Sequence, residues 1–345
     1  MGKNTGAMLG IIALIIGAAG AGMGVFLYLN PQVEEVVVEE ELNGMEYPVS
    51  SESEINNALD AIGTGYGIIT ITNNITLNGT IDINGGGNYI IQGVGAVIKC
   101  ASSQGAFNIT DAGSLTIQNI KIDTTEVVTA NLNIIQINEI NDNPIYIRNA
   151  YIEGDSNTIG RGIYINSDNV WVSECNFDSL AYAIWQDGGK KAHIDDNVIN
   201  YVGTGGIRLT GISNFVESNL ITNTGLYGIW TESTSSYSTI SNNIIYFFDQ
   251  WGIRISADKN IITGNYIQWD NDITESAGIY VDGSYNTING NGCFNIEILT
   301  ILYGFGIRIA AGNNNTVVGN TCLFNEMAFY DAGSTDTYVS GNQFF

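Results

Sequence analysis

The chain has 345 residues, of which 44% are hydrophobic and 13% charged. That is too apolar for a disordered chain and long enough for one large domain or two ordinary ones. Eleven Lys and Arg against 35 Asp and Glu leave a net charge of −24, which excludes sequence-independent nucleic-acid binding and suits cations or neutral partners. A single histidine, His193, excludes two-histidine catalysis and His-rich zinc sites.

From the N-terminus, residues 7–29 carry no charge. As a helix they would span ~35 Å, enough to cross a bilayer core. Lys3 lies before them and an acidic stretch after them, so the positive-inside rule predicts a single-pass anchor with the C-terminal part outside the cell. Cleavage near residues 19–21 as a signal peptide, or packing in a pilin-like filament, are the competing readings of residues 1–30. Residues 31–50 then read as a solvated acidic linker, and residues 51–345 as one domain. It opens on Ser51-Glu52-Ser53-Glu54, which has capping-box spacing. Ile55, Leu59 and Ile62 follow at helical spacing, which predicts a short amphipathic helix covering the open end of what comes next.

From about residue 66 the chain is periodic. A unit of small–hydrophobic–x–hydrophobic begins at Gly162, Ala183, Gly206, Gly228, Gly252, Gly278, Gly306 and Ala328, with spacings from 21 to 28. A second unit ends at Asn197, Asn219, Asn243, Asn265, Asn291, Asn320 and Asn342. Period-2 runs repeated about every 23 residues describe the coils of a parallel β-helix, with inward Ile columns as the core and stacked asparagines at a turn. Leucine-rich repeats have a similar length, but the LxxLxL pattern is missing.

On these repeats, residues ~66–345 resemble the right-handed parallel β-helix superfamily, the pectate-lyase-like or PbH1-repeat proteins. The resemblance implies an all-β right-handed solenoid of about eleven coils. Members include polysaccharide lyases, glycosidases, epimerases, tailspikes, adhesins and structural proteins, so fold alone does not choose among functions. The anchor-plus-repeat layout resembles archaeal cell-surface proteins.

Strand alternation points the x position outward. Down the coils it reads Tyr164, Trp185, Arg208, Trp230, Arg254, Tyr280, Arg308, Tyr330. Two residues on, Asp187, Glu232 and Asp282 fall on coils with an aromatic at x, and small residues fall on the arginine coils. One reading is structural, a ladder of ion pairs and cation–π contacts. The other is a carbohydrate face, with rings for sugar C–H surfaces and arginines for uronates. Tyr164, Trp185, Arg208, Trp230, Arg254, Tyr280 and Arg308 are then the substrate-binding candidates. Asp187, Glu232, Asp282, Arg208 and Arg254 are the catalytic candidates, although an arginine between two carboxylates works against a general acid. The pectate-lyase vWiDH motif is absent, and Asn166-Ser167-Asp168 and Asp195-Asp196 only faintly resemble polygalacturonase motifs.

Asp270, Asp272 and Glu275 offer three hard oxygens in a longer coil; with the EF-hand pattern and its Gly missing they read as a solvated acidic loop, and as a Ca²⁺ cofactor site in the alternative. His193-x-Asp195-Asp196 reads as a polar turn before it reads as a metal site. Cys293 and Cys322 fall in one inward column on adjacent coils and read as two buried thiols or a disulfide. The functional expectation is a membrane-anchored cell-surface β-helix protein that binds glycans or builds a surface layer. The alternatives are a polysaccharide lyase or glycoside hydrolase, and a self-associating filament subunit built on residues 7–29.

Overall fold

The computed structural model describes residues 45–101, 103–125, 132–154, 160–269, 276–296 and 304–345. The predicted anchor over 7–29 and the calcium candidates Asp270, Asp272 and Glu275 lie outside these residues. Among the described residues no helix is long and apolar enough to cross a membrane.

Short strands alternate inward and outward side chains, and the inward ones are nearly all apolar. Val170–Ser173 buries Val170 and Val172, and Ile145–Arg148 buries Ile145 and Ile147. The strands stack in parallel, in register, into three sheets. Among the described residues sheet I has 13 strands, from Met45–Val49 to Tyr338–Ser340. Sheet II has 12, from Ile75–Leu77 to Gln343–Phe344, and sheet III has 11, from Ile81–Ile83 to Met327–Asp331. The chain passes through sheets I, II and III in turn and then returns to sheet I one coil further on. A parallel β-helix results, with one continuous Ile-rich core inside it.

Two of the turns are built on asparagine. Between sheets I and II the chain turns on a left-handed residue, such as Asp196, Ser218, Asn242 or Gly264, at φ of 54, 58, 56 and 67°. Asparagine, aspartate and glycine tolerate this conformation best. The next residue is the inward asparagine found in the sequence. Asn219 Oδ1 accepts from Asn197 Nδ2 at 2.9 Å and from its backbone N–H at 3.1 Å, and Asn219 Nδ2 donates to Ile194 O at 2.9 Å. This pattern runs unbroken from Cys175 to Asn342. A second buried ladder, not found from the sequence, enters sheet I from sheet III. Its members are Asn214, Ser238, Asn260, Asn286 and Asn315, and each accepts from the backbone N–H of the coil before it.

The helix expected after Ser51 is α1, Glu52–Ile62, and its Ile55, Ala58, Leu59 and Ile62 join the core. Ser51 accepts from Glu54 N–H, but Glu54 returns to the N–H of Ser50 (2.6 Å) rather than to Ser51. The acidic linker does not run to residue 50. Met45–Val49 is the first strand of sheet I and pairs with residues 67–71. Its charge misled the sequence reading: Glu46 faces outward and accepts from Thr70 Oγ1 at 2.9 Å, while Val49 is buried. Cys293 and Cys322 are register partners, both buried and both free thiols.

Candidate functional site

Sheet III carries the outward column. Its register is Gln136, Tyr164, Trp185, Arg208, Trp230, Arg254, Tyr280, Arg308, Tyr330, one residue per coil. All seven substrate-binding candidates therefore lie on one straight line. From Tyr164 to Tyr330 the line extends ~34 Å at the ~4.8 Å spacing of paired strands.

The guanidinium groups lie between the rings. Arg208 sits 3.8 Å from the centroid of Trp185 and 5.0 Å from that of Trp230. Arg254 sits 5.0 Å from Trp230 and 5.7 Å from Tyr280. Arg308 sits 5.4 Å from Tyr280 and 5.8 Å from Tyr330. The carboxylates one coil ahead complete the ladder. Arg208 pairs through Nε and Nη2 with Glu232, and Arg254 Nη2 lies 3.1 Å from Asp282. Tyr164 donates to Asp187 at 2.8 Å, and Trp230 Nε1 donates to Ser256 Oγ at 3.2 Å. Burial, then the bond to Asp187, push the Tyr164 phenol up to about 12, so it remains a donor at neutral pH. Side-chain exposure in the two ion pairs is only 18–26%, so the ladder is half sunk into the surface.

The catalytic candidates are thus placed but mutually engaged. Asp187 and Glu232 stand on either side of Arg208, two coils apart, and Glu232 is held by that arginine. The ring faces along the stack are covered by guanidinium groups. A ligand would meet ring edges, N–H donors and carboxylate oxygens rather than open ring faces.

Sequence reasoning missed a flanking row: Arg161, Tyr182, Tyr227, Trp251 and Phe305. Arg161 lies 4.0 Å over Trp185, Arg254 4.3 Å over Trp251 and Arg308 4.9 Å over Phe305. The signal is an aromatic or arginine just before the small residue in five of the eight repeats, with Gly205, Ala277 and Met327 at that place in the others. Strict alternation hides it. In Arg161–Ile165 both Gly162 and Ile163 are buried, so the inside–outside phase slips by one at the glycine.

Sheet I has a separate aromatic stack. Tyr146, Trp171, His193 and Phe215 follow one another with centroids 4.9, 5.1 and 4.8 Å apart. Trp171, His193, Asp195, Asp196, Phe215 and Glu217 border a cavity of about 340 Å³. Burial, then the charges of Asp196 and Glu217, raise the pKa of Asp195, and burial lowers that of His193. Among the described residues no group of three His, Cys, Asp or Glu could hold a metal ion, so His193, Asp195 and Asp196 do not form such a site.

A family model for the right handed beta helix region matches residues 182–344. The solenoid is a right-handed parallel β-helix. A tailspike protein mutant of E. coli bacteriophage HK620, in complex with a pentasaccharide, superposes with a TM-score of 0.64 at 13% identity over 87% of this chain. The Dettilon tailspike protein gives 0.61 at 17% identity over 84% of this chain. The chain spans 62% of the length of each tailspike. The A-module of the Azotobacter vinelandii mannuronan C-5 epimerase AlgE6 gives 0.53 at 15% identity, over 87% of this chain and 95% of that one. No curated protein sequence matches the chain. At these identities the likeness establishes the shared fold.

Proposed function

We propose that the protein binds an extended polysaccharide along the outward strip of sheet III and does not cleave it. The in-register column from Tyr164 to Tyr330 carries this reading. A straight, shallow strip of planar groups fits a linear polymer better than a small molecule, which needs a concave pocket. Four of the chain's five arginines lie on sheet III, against Asp187, Glu232 and Asp282. In a protein of net charge −24 this strip is close to neutral and would not repel an acidic glycan. The neighbours whose names include a pentasaccharide and mannuronan support the ligand class by analogy of fold. The engagement of Glu232 and Asp282 by guanidinium groups supports binding without turnover.

The test is binding of the full chain to an array of neutral and acidic polysaccharides, beside a Trp185→Ala/Trp230→Ala variant. Binding that falls at least tenfold in the variant is expected. No binding to any glycan, or equal binding by the variant, overturns the reading; new reducing ends or unsaturated products overturn its non-catalytic part. A surface location, with residues 7–29 as the anchor, belongs to the same proposal. Detergent but not high salt should then release the full chain from membranes, and release by salt alone would remove the anchor.

A further inference from the structure

Upstream of Tyr164 the outward column of sheet III changes chemistry. It reads Asp82, Asn108 and Gln136, still in register. These side chains, with Thr80 and Asn133, line a cavity of about 290 Å³ whose wall includes Phe107 and Leu132. That lies just below the ~300 Å³ lower end of small-ligand pockets.

The polar groups are organised but not exhausted. Asn108 Nδ2 donates to Asp82 Oδ1 at 2.8 Å, and Asn133 Nδ2 donates to Gln136 Oε1 at 2.9 Å. Arg161 Nη1 donates to Asn133 Oδ1 at 3.1 Å, which ties the cavity to the first cation of the strip. Asn108 Oδ1 is buried without a hydrogen-bond partner, and Gln136 Nε2 makes no hydrogen bond among the described residues. Asp82 makes no ion pair among the described residues.

We propose that this cavity is a subsite for one uncharged sugar residue at the end, or on a branch, of the polysaccharide that lies on the strip. The inference rests on the polysaccharide reading and adds its specificity. Amide donors and acceptors beside a carboxylate match sugar hydroxyls, each of which both donates and accepts. The half-buried Leu132 offers apolar surface for ring C–H groups. Asp82, with no cation paired to it, repels a uronate carboxylate at this point, whereas the arginine coils tolerate one.

The experiment is saturation-transfer NMR on the full chain with single methyl glycosides. The probes are methyl glucoside, galactoside, mannoside and N-acetylglucosaminide, with methyl glucuronide as the charged control. Transfer to at least one neutral glycoside is expected. It should be lost in Asp82→Ala/Gln136→Ala, kept in Trp185→Ala/Trp230→Ala, and absent for the glucuronide. All substituted side chains point outward, and thermal melting of each variant separates lost binding from lost fold. No transfer to any neutral glycoside, transfer that survives Asp82→Ala/Gln136→Ala, or equal transfer to the glucuronide overturns the subsite. Polysaccharide binding that depends on Trp185 and Trp230 but not on Asp82 and Gln136 would leave the strip standing and remove the subsite alone.

Discussion

Asp195 is a carboxylate among carboxylates. Burial on sheet I raises its pKa most, Asp196, Glu217 and Glu174 add to the rise, and Arg148 alone opposes them. A carboxyl whose folded pKa lies above its unfolded value binds more protons in the native state. Stability then falls as pH rises from the unfolded value through the folded one, and the ionised group is a cost at neutral pH. Asp195→Asn removes that charge without changing shape. Thermal melting should therefore show Asp195→Asn more stable than the parent at pH 7, with the gap closing below the unfolded pKa near pH 4. An equal or larger gap at pH 3 would mean that Asp195 is not ionised against its surroundings in the way the geometry implies. Tyr164 shows the opposite economy: its proton serves Asp187, and its raised pKa keeps that donor in place throughout the neutral range.

At the scale of the strand and turn, much of the coil was legible because the signals were single residues at fixed places. The small residue of each repeat is needed where the backbone of the next coil comes close. A Cβ on Gly228 would lie 2.7 Å from Gly252 O and 2.7 Å from the Ile245 side chain. The asparagine at the turn is equally visible, since its amide can accept from one coil and donate to another at a buried position. The second ladder escaped because Ser238 interrupts its asparagines, and because turn asparagines abound in a chain holding 42 of them. The first strand escaped because Glu46 and Pro48 argued for solvent, while Val49 supplied the only deeply buried side chain in five residues. For the site, the outward column could be read from spacing, but its mutual satisfaction could not. Pairing of Arg208 with Glu232 rather than Asp187 depends on which way each side chain leans, and spacing does not record that. The cavity at Asp82, Asn108 and Gln136 was hidden for another reason: Thr80 and Ile134 stand where the later coils carry Gly or Ala, so only Ala106 of its three coils keeps the small–hydrophobic–x–hydrophobic unit.

The solenoid, from residue 45 onward, is nearly one-dimensional. Each coil contacts the one before and the one after, so stability is a sum of coil and interface terms and need not be lost everywhere at once. The middle coils have two interfaces, two asparagine ladders and inward residues at or near 0% exposure, as at Ile207, Ile229 and Ile253. The coil from Met327 to Phe344 differs. Its inward Phe329 and Phe344 stack on each other at 5.4 Å but are only partly buried, and Val339 is 41% exposed. Its strands also have one hydrogen-bonded neighbour each instead of two. Local opening should therefore cost least here. Amide hydrogen exchange on the full chain is expected to be fastest over Met327–Asp331 and Tyr338–Ser340, slower through Gly304–Ile309, and slowest over Gly205–Leu209, Tyr227–Thr231 and Trp251–Ile255. Protection that is uniform from Gly205 to Phe344 would contradict this gradient. It would show either that the solenoid opens as one cooperative body, or that another surface covers the last coil in solution, and concentration dependence of the exchange would separate the two. The gradient also bears on function: a strip whose middle coils open least offers a rigid track, with little ordering cost when an extended glycan lies along it.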